Sequence, residues 1–352
     1  MIDDMTFQPF RVSNEALDAP TELRQRLEDD GYLFLRDFQN ADALRDLRLQ
    51  ILQRIDHCSD WILPGSDLTD GRVDASKACT EPHNEYRDVY REMYMLRGVH
   101  AIPHDAGLLA MLDGVIDGRT MPHPQKIVRL WFPHYTQHTT PFHQDFVHFQ
   151  SNLEVLTVWT PLSDCPMELG PLGLIEGSHK VGKVVDHHFS LGAGGQKVDA
   201  PESRGIARCN DFELGDTLIF GCLMVHGALP NLTEDQLRVS LDNRYHQAGL
   251  PISENMLLPH LRAHQSWDTV YEDWPADDPL RYYWEQEQFQ RVPTDTSFGQ
   301  RVFEQALQLA ESGNPHALEA VRSAALTPGD APDLRERSNG ERARKLLSRA
   351  GS

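Results

Sequence analysis

In the stretch TTPFHQDFVHFQ, His143 and Asp145 stand two residues apart within a run of β-forming residues. On a strand, side chains two apart share a face, so an imidazole and a carboxylate aim into one space. Such a pair is either a structural hydrogen-bonded couple or two thirds of a metal site. The tripeptide alone discriminates little. With 17 histidines and 53 acidic residues among 352, chance gives roughly two or three His-x-Asp/Glu occurrences. The second occurrence, His83-Asn84-Glu85, follows a proline and leads into a helical pattern, where residues two apart face apart. It reads as structural.

A facial metal site needs a ligand from elsewhere, and His226 in GDTLIFGCLMVHGALPN is the candidate. A Gly-Asp turn launches an apolar strand that ends on this histidine, although most strand-end histidines are simply packed in cores. Two imidazoles and one carboxylate leave coordination positions open, the arrangement of non-haem Fe(II) that activates O2. Twelve residues later, LRVSLDNRY places Arg238, Ser240, Asp242 and Arg244 on one strand face. A hairpin brings Arg238 near His226, and a buried guanidinium needs an anion whose geometry its fork matches, such as a carboxylate. Together these residues ask for a metal and a dicarboxylate. His148, five residues beyond His143, is expected to face away by alternation, and His187 and His188 lie in a loop.

The elements that must position these residues fall into three zones. Residues 1–120 read as largely helical, with a buried strand YLFLRDF between a helix stopped by Gly31 and one capped by Asn40 that carries Leu44, Leu47, Ile51 and Ile55 on one face. From about 121 to 250 the texture becomes short strands separated by Pro, Gly, Asn and Asp, without intervening helices. This predicts antiparallel sheets in a sandwich or double-sheet jelly roll. The segment 251–327 is aromatic, then helical, and its WDTVYEDWPADDPLRYYW stretch reads as a lid or as packing. Residues 328–352 are polar and locally basic and are expected to form a flexible tail beyond a single domain spanning 1–327. The glycines of LGAGGQ open no helix after a strand, so they do not suggest a nucleotide site.

Composition narrows the function. A formal charge of −20, from 53 acids against 33 Lys and Arg, disfavours nucleic-acid and membrane partners and leaves a small-molecule substrate of unknown identity. Five scattered cysteines without a CxxC pair read as reduced thiols. No apolar leader opens MIDDMTFQPF and no 18-residue apolar run exists, so a cytoplasmic protein is expected. The NLT at Asn231 fits a glycosylation pattern that is then without consequence. Oligomeric state is not legible.

Taken in order, four stretches resemble the phytanoyl-CoA dioxygenase family of Fe(II)/2-oxoglutarate oxygenases, which includes ectoine hydroxylase. They are DDGYLFLRDF, TTPFHQDF, VWTPLSDCPMELGPLGLIEGSHKVG and GDTLIFGCLMVHGALPNLTEDQLRVSLDNRY, spanning roughly residues 20–246. The resemblance implies an all-β double-stranded β-helix core, cupin-like, decorated by N- and C-terminal helices. It implies that His143, Asp145 and His226 bind Fe(II), that Arg238 pairs with the distal carboxylate of 2-oxoglutarate, and that Ser240 assists it. Trp159 stands where the family places a cosubstrate-pocket tryptophan. Family members often carry a lysine before the proximal motif; here RLWFPHYTQHTTPF offers Arg129 or His134 instead, or no substitute. Gly177, Ser178 and His179 match a family signature expected to be structural, with Glu176 in place of its proline. The implied activity is hydroxylation of an unactivated C–H bond, with O2 consumed and 2-oxoglutarate converted to succinate and CO2. Asp145 argues against a halogenase, which needs that ligand position for halide. The competing readings are a cupin-like metal enzyme that does not use 2-oxoglutarate and a non-catalytic binding or sensing jelly roll.

Overall fold

A computed structural model describes residues 5–350 apart from 81–82, 137, 199–204, 262–265, 328 and 330–333. Two antiparallel sheets form its centre. The larger, six-stranded sheet runs in the order Tyr32–Leu35, Thr217–Gly221, Leu156–Pro161, Arg238–Gln247 and Thr120–Pro122, with Val128–Trp131 also paired to Arg238–Gln247. The four-stranded sheet runs His143–Gln144, Val225–Ala228, Leu172–Glu176 and Ile206–Arg208. Sequence neighbours repeatedly fall in opposite sheets, the hallmark of a jelly roll. The expected double-stranded β-helix with flanking helices is the fold observed.

Register turns this scaffold into a site. Opposite Arg238–Gln247, the partners are Arg238 with Trp131, Ser240 with Arg129, Asp242 with Trp159 and Arg244 with Thr157. All eight lie on one face, because a pleated strand repeats every two residues. In the other sheet His226 lies directly opposite His143.

The helices are built as the sequence suggests. Asn40 caps Ala41–Cys58, its side chain accepting from the amides of Asp42 and Ala43, and the apolar stripe Leu44, Leu47, Ile51 and Ile55 is buried. Gly31 stops Pro20–Asp30 with φ of 86°, a left-handed value that costs glycine little. The aromatic stretch is packing, not a lid: Trp267 stacks on Tyr271, Tyr271 meets Trp274, and His100 sits edge-on to both tryptophans. Its indoles donate to backbone carbonyls, Trp267 to Leu257 and Trp274 to Met95.

One expectation is corrected. Residues 334–350 form a helix rather than a polar tail, and Ala343 is fully buried in a cluster with Leu307, Ala317 and Val321. Ala343, Leu346 and Leu347 follow the i, i+3, i+4 rule, which puts a narrow apolar stripe on an otherwise charged helix. Among the described residues no helix is long and apolar enough to cross a membrane. All five cysteines are free. Asn231 is buried, donates to the Trp131 and Gln236 carbonyls and accepts from Thr233, so it is a structural turn residue.

Candidate active site

The strand carrying His143 ends at Gln144; Asp145 is already helical, with φ −61° and ψ −30°, and opens the turn Phe146–Phe149. The imidazole and carboxylate therefore meet at a strand-to-helix corner rather than along one strand face. His143 Nε2 lies 3.4 Å from Asp145 Oδ1, and His226 Nε2 lies 3.6 Å from the same oxygen. One atom from each of His143, Asp145 and His226 falls within 4.8 Å of the others.

Tautomers decide what this cluster is. His143 Nδ1 is 2.7 Å from the Pro141 carbonyl and His226 Nδ1 is 3.0 Å from that of Met224. A carbonyl only accepts, so each Nδ1 carries the proton and each Nε2 presents a lone pair. Burial pushes the His226 imidazole down to about 3, despite the opposing pull of Asp145, so that ring is neutral. Burial alone would raise the Asp145 carboxyl, but the Arg244 guanidinium beside it opposes this, and the carboxyl stays well below the usual carboxylate range. With both rings neutral, as metal ligation requires, three acceptors converge with no hydrogen between them. They repel unless a cation stands among them. Neighbouring ligands of an octahedral ion at about 2.1 Å are about 3 Å apart, close to the separations here. The donor set fits Fe(II).

Asp145 is gripped from behind. Arg244 Nη2 donates to both carboxylate oxygens, at 3.1 and 2.9 Å, and the Thr157 hydroxyl donates to Oδ2 at 2.5 Å. Arg244 is itself fixed by the Asp242 carboxylate at 2.9 Å and lies over the Phe149 ring. Sequence reasoning places Arg244 on the Arg238 face without giving it this role and does not single out Thr157, which shares a strand face with Trp159. Gln144, between the two proximal ligands, is fully buried and sews the 183–187 segment to the site: it donates to the Leu223 carbonyl and accepts from the Val185 amide.

Arg238 lines the same cavity, which holds about 250 Å³ and is lined also by Arg129, Trp131, Trp159 and His226. It is 1% exposed. Its guanidinium donates to the Gly170 carbonyl and to Ser240 Oγ at 3.4 Å and lies over Trp131 and Trp159, but Nε has no partner. Among the described residues no carboxylate pairs with it, and burial draws its pKa down to about 10. A buried cation without an anion is costly, and a dicarboxylate spanning from the metal would supply one. Ser240 stands beside Arg238 as expected, and Trp159 both lines the cavity and meets Phe212 edge-on. Arg129 also lines the cavity, 3.7 Å from Asp242.

Gly170 links this pocket to its loop. Its φ is 77°, and a Cβ there would sit 2.5 Å from the Leu229 carbonyl oxygen. Gly170→Ala is expected to cost about 2–4 kcal/mol, combining left-handed strain with backbone overlap. Urea denaturation measures it, and because the Gly170 carbonyl supports Arg238, 2-oxoglutarate affinity should fall with it.

Two expectations are corrected. His134 is exposed at a turn with φ of 57° and does not line the cavity; the turn at Pro133 lifts it off the strand that carries Arg129. His148 does not face away. The helical turn replaces strand alternation, so its ring lies 5.3 Å from that of His143 and lines the cavity. The Gly177-Ser178-His179 stretch is structural: Ser178 Oγ accepts from the Val225 amide, His179 bonds the Glu28 carbonyl, and Glu176 pairs with Arg208.

Lys126 precedes the proximal motif but points away from the cavity, buried and donating to the His123 carbonyl and to the Tyr283 hydroxyl. Burial holds its ammonium well below the ordinary lysine range. The unfolded chain takes up this proton below about pH 10.4, whereas the folded chain resists it, so stability at this site falls as the pH drops below that value. Lys126→Met is expected to stabilise the protein by about 1–3 kcal/mol at pH 7. Parallel denaturation at pH 7 and 9.5 should show a smaller gain at the higher pH.

The chain is similar to several known proteins. The chain is 24% identical over 269 residues to 1-deoxypentalenic acid 11-beta-hydroxylase of Streptomyces arenae, covering 72% of this chain and 90% of that protein. It is 24% identical over 242 residues to ectoine dioxygenase of Stutzerimonas stutzeri (strain A1501), covering 64% and 76%. Among solved structures, iron-bound EctD from S. alaskensis is 18% identical with a TM-score of 0.45, covering 83% of this chain and 94% of that one. The epimerase SnoN from nogalamycin biosynthesis is 19% identical with a TM-score of 0.42, covering 66% and 83%. The family model for phytanoyl-CoA dioxygenase (PhyH) matches residues 27–240, a span that includes His143, Asp145, His226 and Arg238. The chain therefore belongs to the phytanoyl-CoA dioxygenase (PhyH) family and is a dioxygenase dependent on Fe(II) and 2-oxoglutarate.

Proposed function

We propose that this protein hydroxylates an unactivated C–H bond of a small organic molecule, with O2 divided between the product hydroxyl and succinate, and CO2 released. His143, Asp145 and His226 would hold Fe(II) through their converging lone pairs. Arg238, assisted by Ser240, would bind the distal carboxylate of 2-oxoglutarate. The carrying observation is that the buried guanidinium without a carboxylate partner and the three convergent acceptors line one cavity. A cupin-like enzyme without a dicarboxylate cosubstrate would have no use for that arginine. A ferrous ion held there supplies the one-electron and oxygen chemistry that no side chain can. The chain's own residues would orient the cosubstrate, keep the His226 imidazole neutral and wall the reaction from water. The curated relatives, a hydroxylase and a dioxygenase named for small molecules, support this substrate scale.

Anaerobic addition of Fe(II) and then 2-oxoglutarate should produce a weak visible charge-transfer band. Air should then release succinate, faster in the presence of a substrate drawn from a metabolite panel. Absence of the band in the wild-type protein would remove this reading.

A further inference from the structure

The metal cavity, at about 250 Å³, is smaller than the roughly 300–1,000 Å³ typical of sites for drug-sized ligands. Once a dicarboxylate is inside, little room is left. A second cavity of about 840 Å³ adjoins it, and the two share Ala193, Gly194, Leu261 and Glu336 as lining. Its inner wall comes from the glycine-rich turn at 192–195 and from the start of the Asn84–Tyr94 helix. Its outer wall comes from the helices Ser297–Glu311, Pro315–Ala325 and Leu334–Ala350.

The charges on that wall balance. Arg87 lies 3.7 Å from Glu336, and His138 lies 3.1 Å from Glu319. Arg322 is the second lining arginine, so two arginines stand against two glutamates, with His83 and His138 also on the wall. These pairs also tie the C-terminal helices across the chamber to the core. Between them Tyr135, Phe189, Leu261 and Phe303 supply apolar and aromatic surface beside uncharged polar groups such as Ser190, Ser323 and Asn339. A polyphosphate ligand needs clustered Arg or Lys; among the described residues this wall offers only Arg87, held by Glu336, and Arg322, on a chain whose formal charge is −20.

We propose that this chamber receives the body of a bulky, uncharged, ring-containing organic substrate and presents one end of it to the metal cavity past Ala193 and Leu261. An acyl thioester of a nucleoside polyphosphate is not the substrate. The inference rests on the oxygenase reading and specifies its substrate class.

Nile red, a neutral fused-ring dye, is the probe, used with the full chain under anaerobic conditions. It should bind one per chain with blue-shifted emission. That emission should be quenched when Co(II) and 2-oxoglutarate load the metal cavity. Ala320→Trp, which fills the outer wall, should weaken binding at least about tenfold, a change of about 1.4 kcal/mol. Palmitoyl-CoA in tenfold excess should leave the dye in place. Failure of the dye to bind, binding without quenching, binding unchanged in a folded Ala320→Trp variant, or displacement by palmitoyl-CoA would each overturn the proposal. If that variant does not fold, wild-type quenching and competition decide. Loss of the ferrous 2-oxoglutarate band would instead strike the oxygenase reading, so the two failures are separable.

Discussion

Asp145→Asn is expected to abolish ferrous-ion binding and succinate formation while leaving the protein folded. An amide has the carboxylate's shape but only one acceptor oxygen. Arg244 donates to both oxygens of Asp145 and cannot accept. The amide oxygen will therefore turn toward Arg244 and Thr157, and the NH2 group toward His143 and His226. Two lone pairs that awaited a cation then accept hydrogen bonds instead. Metal affinity should fall by at least about 1,000-fold, the loss of a charged ligand compounded by an opposing dipole. Replacing an ion pair by a neutral hydrogen bond to Arg244 should cost about 1–3 kcal/mol of stability. Anaerobic titration with Fe(II) or Co(II) reads the first effect and thermal melting the second. A variant that kept the charge-transfer band would show that Asp145 is not a ligand.

Arg238→Met should divide stability from function in the opposite sense. Among the described residues no carboxylate pairs with buried Arg238, so its desolvation is offset only in part, by the Gly170 and Ser240 hydrogen bonds and the Trp131 and Trp159 rings. A methionine of similar length should raise the melting temperature of the ligand-free protein. Two charge-assisted hydrogen bonds to a carboxylate, at about 1.5–3 kcal/mol each, are lost from the cosubstrate. The dissociation constant of 2-oxoglutarate should rise at least about 100-fold, with Fe(II) binding nearly unchanged. Absorption titration gives the first number and melting with and without 2-oxoglutarate gives the second. Equal 2-oxoglutarate affinity in the variant would sink the assignment of Arg238.

The sequence made the periodic parts of this protein readable. The Asn40 cap and its stripe, the Gly31 stop and the face carrying Arg238, Ser240 and Arg244 all follow from local repeats, and all are observed. The Gly-Asp turn launches Thr217–Gly221, but that strand ends before His226, which lies on the next strand, Val225–Ala228, in the other sheet; the expectation of one strand ending on this histidine is corrected. The proximal pair was found by a periodicity that ends one residue too early: the backbone turns helical at Asp145, which also brings His148 inward. No local pattern announces such a corner. Arg244 and Thr157 needed knowledge of which strands pair, a long-range fact set by register. The helix at 334–350 was hidden because charge outweighs its three apolar positions in composition, although not in spacing.

The hydrogen bonds from His143 and His226 to carbonyls two residues earlier in the chain have a consequence for loading. Each ring is oriented by its own strand and needs no ion to hold it. Apo and metal-bound forms should therefore superimpose at these rings, and the ion should exchange without local unfolding. Any rise in melting temperature on adding metal then reports occupancy alone, following RT ln(1 + [M]/Kd).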